Sequence, residues 1–109
     1  MKYDNDFIKE IVRQTVEELK RSGILKNDNE LAYAEITSVL TAYYNEGESD
    51  PVITAALKDL EHDTYYKIIP LYFSYNYTII KIAEVFGVEV STIVRNKKRL
   101  CLAIYNAIQ

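Results

Sequence analysis

The sequence predicts an all-α fold, and three observations carry that prediction. Only three glycines and two prolines stand among 109 residues, too few to supply the turns of a β-rich chain. Apolar residues recur at three- and four-residue spacing in each strongly patterned segment, the period of a helix with one buried face. The stretch Thr78 to Arg99, TIIKIAEVFGVEVSTIVRNKKR, reads as two helices joined by a glycine turn. At 49% apolar and 27% charged, the chain has the composition of a globular protein with a modest core.

The first helix is expected from about Asp6 to Ser22, where Phe7, Ile8, Ile11, Val12, Thr15, Val16 and Leu19 form a broad apolar stripe. Asp4, Asn5 or Asp6 can cap it, and Ser22-Gly23 ends it. Ile24 and Leu25 read as an anchor packed back on the domain. Asn27 to Glu30 reads as a turn leading into a second helix through Leu31, Tyr33, Ile36, Val39, Leu40, Tyr43 and Tyr44. Asn45 to Pro51 is the clearest break. Pro51 suits a first helical turn, with Ser49 or Asp50 as cap. That third helix carries Val52, Ile53, Ala56, Leu57 and Leu60. In the tyrosine-dense DTYYKIIPLYFSYNYT, Pro70 lacks an N–H and clashes with the preceding turn, so a kink or a helix restart is expected near Ile68–Leu71. The organisation read from this is an N-terminal helical arm, residues 1–50, and a C-terminal unit, residues 51–109. One compact domain overall is the alternative.

Within the C-terminal unit, Ile79, Ile82, Ala83 and Phe86 share one face of a short helix. Gly87 follows, the residue that enters a left-handed stop most readily. Ala83 lets two helices cross closely. After Val88-Glu89-Val90 the next helix holds Ile93, Leu100 and Ile104 inward and Ser91, Arg95, Lys98 and Leu102 outward. A small crossing residue, a three-residue turn and a cationic outer face are what a helix-turn-helix needs to enter a DNA major groove.

Charge distribution agrees with that reading better than the total does. The formal net charge is -3. Residues 78–109 carry five basic and two acidic side chains, net +3, whereas residues 1–77 carry eight and fourteen, net -6. Phosphate binding needs a local basic face rather than a basic total. No apolar run is long enough to cross a bilayer, so no membrane partner is expected. The N-terminus MKYDNDFIKE lacks an apolar signal segment, and one cysteine, Cys101, suits a reducing compartment. A cytoplasmic location is expected.

Enzymatic chemistry finds no support in the residues. There is no phosphate-binding glycine loop, no dinucleotide fingerprint and no nucleophile constellation. His62, the single histidine, lacks the companions a zinc site requires. Cys101 sits in an apolar helix and reads as a small buried hydrophobe. Neither a metal nor a cofactor is expected. The ten tyrosines read as residues of helical core margins, with rings buried and hydroxyls reaching water, rather than as a base-stacking platform.

Taken together, YYKIIPLYF, TIIKIAEVFGVEVSTIVRNKKRL and the N-terminal TVEELKRSGILK make the chain resemble the ArpU/RinA-type transcriptional regulators of phages and prophages. More distantly, the C-terminal part is similar to region 4 of bacterial sigma factors. The resemblance implies a promoter-binding protein acting on late phage genes. Under it, Thr78 opens the motif, Ala83 and Gly87 are its small positions, and Val88 and Ile93 pack its core, which Ile82 joins by its place on the apolar helix face. Ser91, Thr92, Arg95, Asn96, Lys98 and Arg99 fall at DNA-facing or flanking positions. Glu89 departs from the Ser or Thr that usually caps such a recognition helix, and Asn96 occupies a position that is often aliphatic.

Arginine takes guanine bidentately and asparagine takes adenine, so Arg95 and Asn96 are the candidate base readers. Lys98 and Arg99, with Lys97 from the flank, are the candidate phosphate contacts. The expected partner is double-stranded promoter DNA. RNA polymerase is a further partner to consider, and the apolar tail Cys101–Ile108 leaves open a homodimer through the C-terminal helix. The competing reading is a protein-interaction module of the same fold that binds RNA polymerase or another regulator without reading DNA.

Overall fold

A computed structural model describes residues 13–14 and 28–109, and the described residues are helices and turns without strands. The elements are α1 (Asp28–Asn45), α2 (Pro51–Asp59), α3 (Ile68–Phe73), α4 (Ile79–Phe86) and α5 (Val90–Ala107). The all-α expectation holds. The expected helix Asp6–Ser22, its Ser22-Gly23 stop and the Ile24-Leu25 anchor lie outside the described residues, apart from Arg13 and Gln14, which are helical and exposed.

Each helix starts and stops for a local reason. The second expected helix is α1, and it already includes Asp28–Glu30, which the sequence reading assigned to a turn. Acidic residues in a first turn favour the helix by facing the positive end of its dipole. The break at residues 45–51 turns through Gly47 and Glu48, both at positive φ. Asp50 then caps α2, accepting from the N–H groups of Val52 (2.9 Å) and Ile53 (3.1 Å), with Pro51 in the first turn where its missing N–H costs nothing. A 2.6 Å hydrogen bond between the hydroxyls of Tyr43 and Thr54 ties α1 to α2.

Pro70 marks a restart and not a kink. It occupies the first turn of α3, which begins at Ile68 and runs unbroken to Phe73. Six residues are too few for a stable helix in isolation. Burial of Ile68, Ile69 and Phe73 supplies the difference, at roughly 1.5–3 kcal/mol for each fully buried side chain.

Among the described residues, α1, α2, α3 and α4 all pack on α5, α1 most extensively. The larger core joins Ile36, Val39, Leu40 and Tyr43 of α1, Ile53, Ala56 and Leu57 of α2, Ile69 and Phe73 of α3, and Leu100, Cys101 and Ile104 of α5. Residues 28–50 and 51–109 therefore share one core. A smaller cluster gathers Ile68, Ile82, Ala83 and Ile93, with Ile79, Phe86 and Val88 against it. The neighbours Ile68 and Ile69 face different clusters, so the short α3 is the seam between them. Burial pushes the Cys101 thiol up to about 11, leaving it in its neutral form. No helix among the described residues is long and apolar enough to cross a membrane.

Candidate nucleic-acid interface

The segment from Thr78 to Arg99 forms two helices joined by three residues. Thr78 has an extended backbone, and its hydroxyl accepts from the Lys81 N–H at 3.1 Å, capping α4. At the other end Gly87 takes φ 68° and ψ 36°, and the Val88 N–H returns to the Ala83 carbonyl at 3.1 Å. The left-handed stop expected of Gly87 is present. A Cβ there would meet no neighbour, so the demand for glycine comes from backbone conformation alone. Glu89 opens α5 with an extended backbone but makes no side-chain capping bond. Ile82 and Ala83 meet Ile93 in the smaller core, and the half-buried Val88 packs beside them.

The cationic residues of α5 occupy four different settings. Arg95 is exposed and has no hydrogen-bond or ion-pair partner among the described residues. Ser91 is exposed one turn earlier, and Thr92 is half-buried. Lys98 is half-buried, its ammonium 5.9 Å from the centre of the Tyr33 ring.

Lys97 is buried, against expectation. Expected as a flanking phosphate contact, it is only 6% exposed. Its ammonium donates to the Tyr33 hydroxyl and lies 4.1 Å from the Tyr72 ring centre, 4.9 Å from Tyr33 and 5.5 Å from Phe73. The aromatic faces and the hydroxyl replace part of the water a buried ammonium loses. Lys97 thus joins α5 to α1 and α3 and is withdrawn from the outer face.

Arg99 and Asn96 are also engaged, though nearer the surface. The guanidinium of Arg99 grips Asp63 with two 2.9 Å bonds, Nη1 to Oδ2 and Nη2 to Oδ1. Its Nε donates to Asn96 Oδ1 at 3.1 Å, and Asn96 Nδ2 donates to the Thr92 carbonyl at 2.8 Å. Bonds from Arg99 and from the Tyr65 N–H hold the Asp63 carboxyl below the usual carboxylate range, and Asp63 in turn raises Arg99. In this arrangement both polar atoms of the Asn96 amide are engaged within the protein, and the exposed Arg99 keeps one N–H on each Nη beyond its bonds to Asp63 and Asn96.

Two further features went unnoticed in the sequence. Val90 and Val94 are 43% and 50% exposed, on the same two turns as Ser91 and Arg95. Tyr75 and Tyr77 are exposed too, contrary to the reading of every tyrosine as a core-margin residue. They lie in the turn between α3 and α4, where Asn76 adopts φ 58°, and so belong to no helical face. The remaining described tyrosines are buried or half-buried. Among the described residues no cluster of histidine, cysteine, aspartate or glutamate is fit to hold a metal ion. No protein-family model, curated protein or solved structure gives a significant match to this chain.

Proposed function

We propose that this protein is a sequence-specific, non-enzymatic DNA-binding regulator of transcription that inserts the first two turns of α5 into a major groove. The observation that carries the reading is Arg95. It is a cation on an exposed helix start, unpaired among the described residues, with Ser91 one turn before it. An unpaired, solvated guanidinium can take guanine O6 and N7 without first breaking a bond inside the protein. The +3 charge of residues 78–109 adds non-specific attraction to phosphate, in which Lys98 takes part. The resemblance to ArpU/RinA-type regulators and to sigma region 4 supports a setting in the bacterial cytoplasm, on late genes of a phage or prophage. RNA polymerase and a second copy of the chain are the partners this setting suggests.

A second reading is favoured by α4, where Ile80 and Val85 are 64% and 55% exposed. Such side chains suit a protein surface, and the module would then bind RNA polymerase or another regulator without reading bases. Selection of duplexes from a randomised pool, followed by titration at several salt concentrations, separates the two. The DNA reading expects an enriched sequence bound with a steep salt dependence that flattens in Lys98→Ala. Failure to enrich any duplex, together with capture of RNA polymerase that is lost in Ile80→Asp, would favour the second reading.

A further inference from the structure

We infer that Val90 and Val94 read the 5-methyl groups of thymine, so that this face of α5 recognises thymines beside the guanine taken by Arg95. The inference rests on the DNA-binding reading and specifies its target. Val90 and Val94 are one turn apart, as are Ser91 and Arg95, so two adjacent ridges run along the first two turns, one apolar and one polar. The apolar ridge is not part of the core. Ile93 is fully buried on the smaller cluster, and Val94 lies about 100° around the helix from it.

One exposed valine on a helix needs no explanation. Here there are two, side by side with a solvated arginine, while the exposed positions from Arg95 to Asn106 are arginine, arginine and asparagine. Both are also β-branched, so they lower helix propensity at the very start of α5, where Glu89 supplies no side-chain cap. Neither belongs to either core cluster.

A major groove gives such residues a partner. Thymine presents a methyl group at C5, whereas cytosine presents a hydrogen and the purines present polar edges. A valine isopropyl group removes that methyl from water and in doing so distinguishes thymine from the other bases. Val90 and Val94 are separated by about 6 Å along the helix axis. The rise of B-DNA is about 3.4 Å per base pair, so the two side chains meet methyl groups one or two steps apart. A duplex is the occupant because the adjoining ridge ends in Arg95 and the next turn carries Lys98, charges that complement phosphate and guanine rather than an apolar protein surface.

The test begins with a duplex enriched from a randomised pool by the full chain, resynthesised with deoxyuridine at each thymine in turn, which deletes one methyl and nothing else. At one or two positions the change should weaken binding about four-fold, the effect of one buried methyl. Val94→Ala should bind the thymine and uracil duplexes equally at its position, while Arg95→Ala binds both more weakly but keeps the preference. Circular dichroism establishes that the variants are folded. Equal wild-type affinity for all the uracil duplexes would overturn the inference and leave the DNA reading standing. Enrichment of no duplex would overturn both. A uracil effect that persists in Val90→Ala and Val94→Ala alike would assign methyl reading to other residues and overturn the inference.

Discussion

The first two turns of α5 and the three that follow belong to one helix of 18 residues, yet they stand in opposite surroundings. From Val90 to Arg95 only Ile93 is buried, and the remaining positions are exposed or half-exposed. From Lys97 to Ile104 the buried residues are Lys97, Leu100, Cys101 and Ile104, and the half-buried ones are Lys98, Leu102 and Ala103. Arg95 and Lys97, two residues apart, show the contrast most clearly. One guanidinium is solvated and unpaired among the described residues. One ammonium is enclosed by Tyr33, Tyr72 and Phe73. The lesson is that a basic run along a helix is not a unit. Rotation by about 100° per residue distributes its members between the core and the solvent.

The comparison is broken most severely by touching the enclosed half. Leu100→Ala should destabilise the protein by about 2–5 kcal/mol, because it removes a fully buried side chain where α1, α2 and α3 converge. Urea denaturation measures this. A cost below about 1 kcal/mol would mean that the second half of α5 is not the centre of the core.

Next in size is Lys97. Lys97→Ala removes both the aliphatic stem and the ammonium among three rings, and should cost about 1–3 kcal/mol. Arg95→Ala should stay within about 0.5 kcal/mol of the parent, as expected for an exposed residue without a structural partner. Equal losses in the two variants, measured by the same denaturation, would erase the distinction between the halves.

How much of this was legible beforehand depends on the residue. The helix pair from Ile79 onward, the Gly87 stop, the Asp50 cap and the Pro70 restart all rest on local chemistry, and the sequence displays local chemistry directly. The buried face of α5 was readable at Ile93, Leu100 and Ile104. Lys97 lies on that same face, four residues after Ile93 and three before Leu100. Its helical position therefore marks it as buried, while its charge associates it with the basic run. The Asp63–Arg99 pair was beyond sequence reasoning, since it joins residues 36 positions apart through the turn between α2 and α3. The exposure of Val90 and Val94 follows in part from rotation, which places Val94 about 100° from the buried Ile93, but apolar side chains by themselves do not mark an outward face.

Smaller effects near neutral pH come from two titrating groups, Asp63 at the surface and Cys101 in the core. Asp63 has a folded carboxyl pKa below its unfolded value, so its pair with Arg99 adds stability above the unfolded value and loses it as pH falls through the folded one. The pair is partly exposed, its side chains 48% and 24% accessible, and its contribution should be about 0.2–1 kcal/mol. Asp63→Asn should therefore be slightly less stable than the parent near neutrality and indistinguishable from it in strong acid. A difference that grows on acidification would contradict this sign. Cys101 has the opposite linkage. Its thiol is raised to about 11, so stability should decline as pH climbs from about 9, and a thiol reagent at pH 8 should modify it only after unfolding.

The division of labour within α5 is tested most directly by duplex-binding titrations of Arg95→Ala and Lys97→Met, side by side, at several salt concentrations. Methionine keeps most of the Lys97 stem among the rings while removing its charge. Arg95→Ala should lose about 1–3 kcal/mol on the enriched duplex and much less on random DNA. Lys97→Met should match the parent on both, with an unchanged salt slope. A Lys97→Met protein of normal stability whose salt slope falls by about one would show that this lysine meets phosphate after all, and an Arg95→Ala protein of normal affinity would remove the exposed half of α5 from the interface.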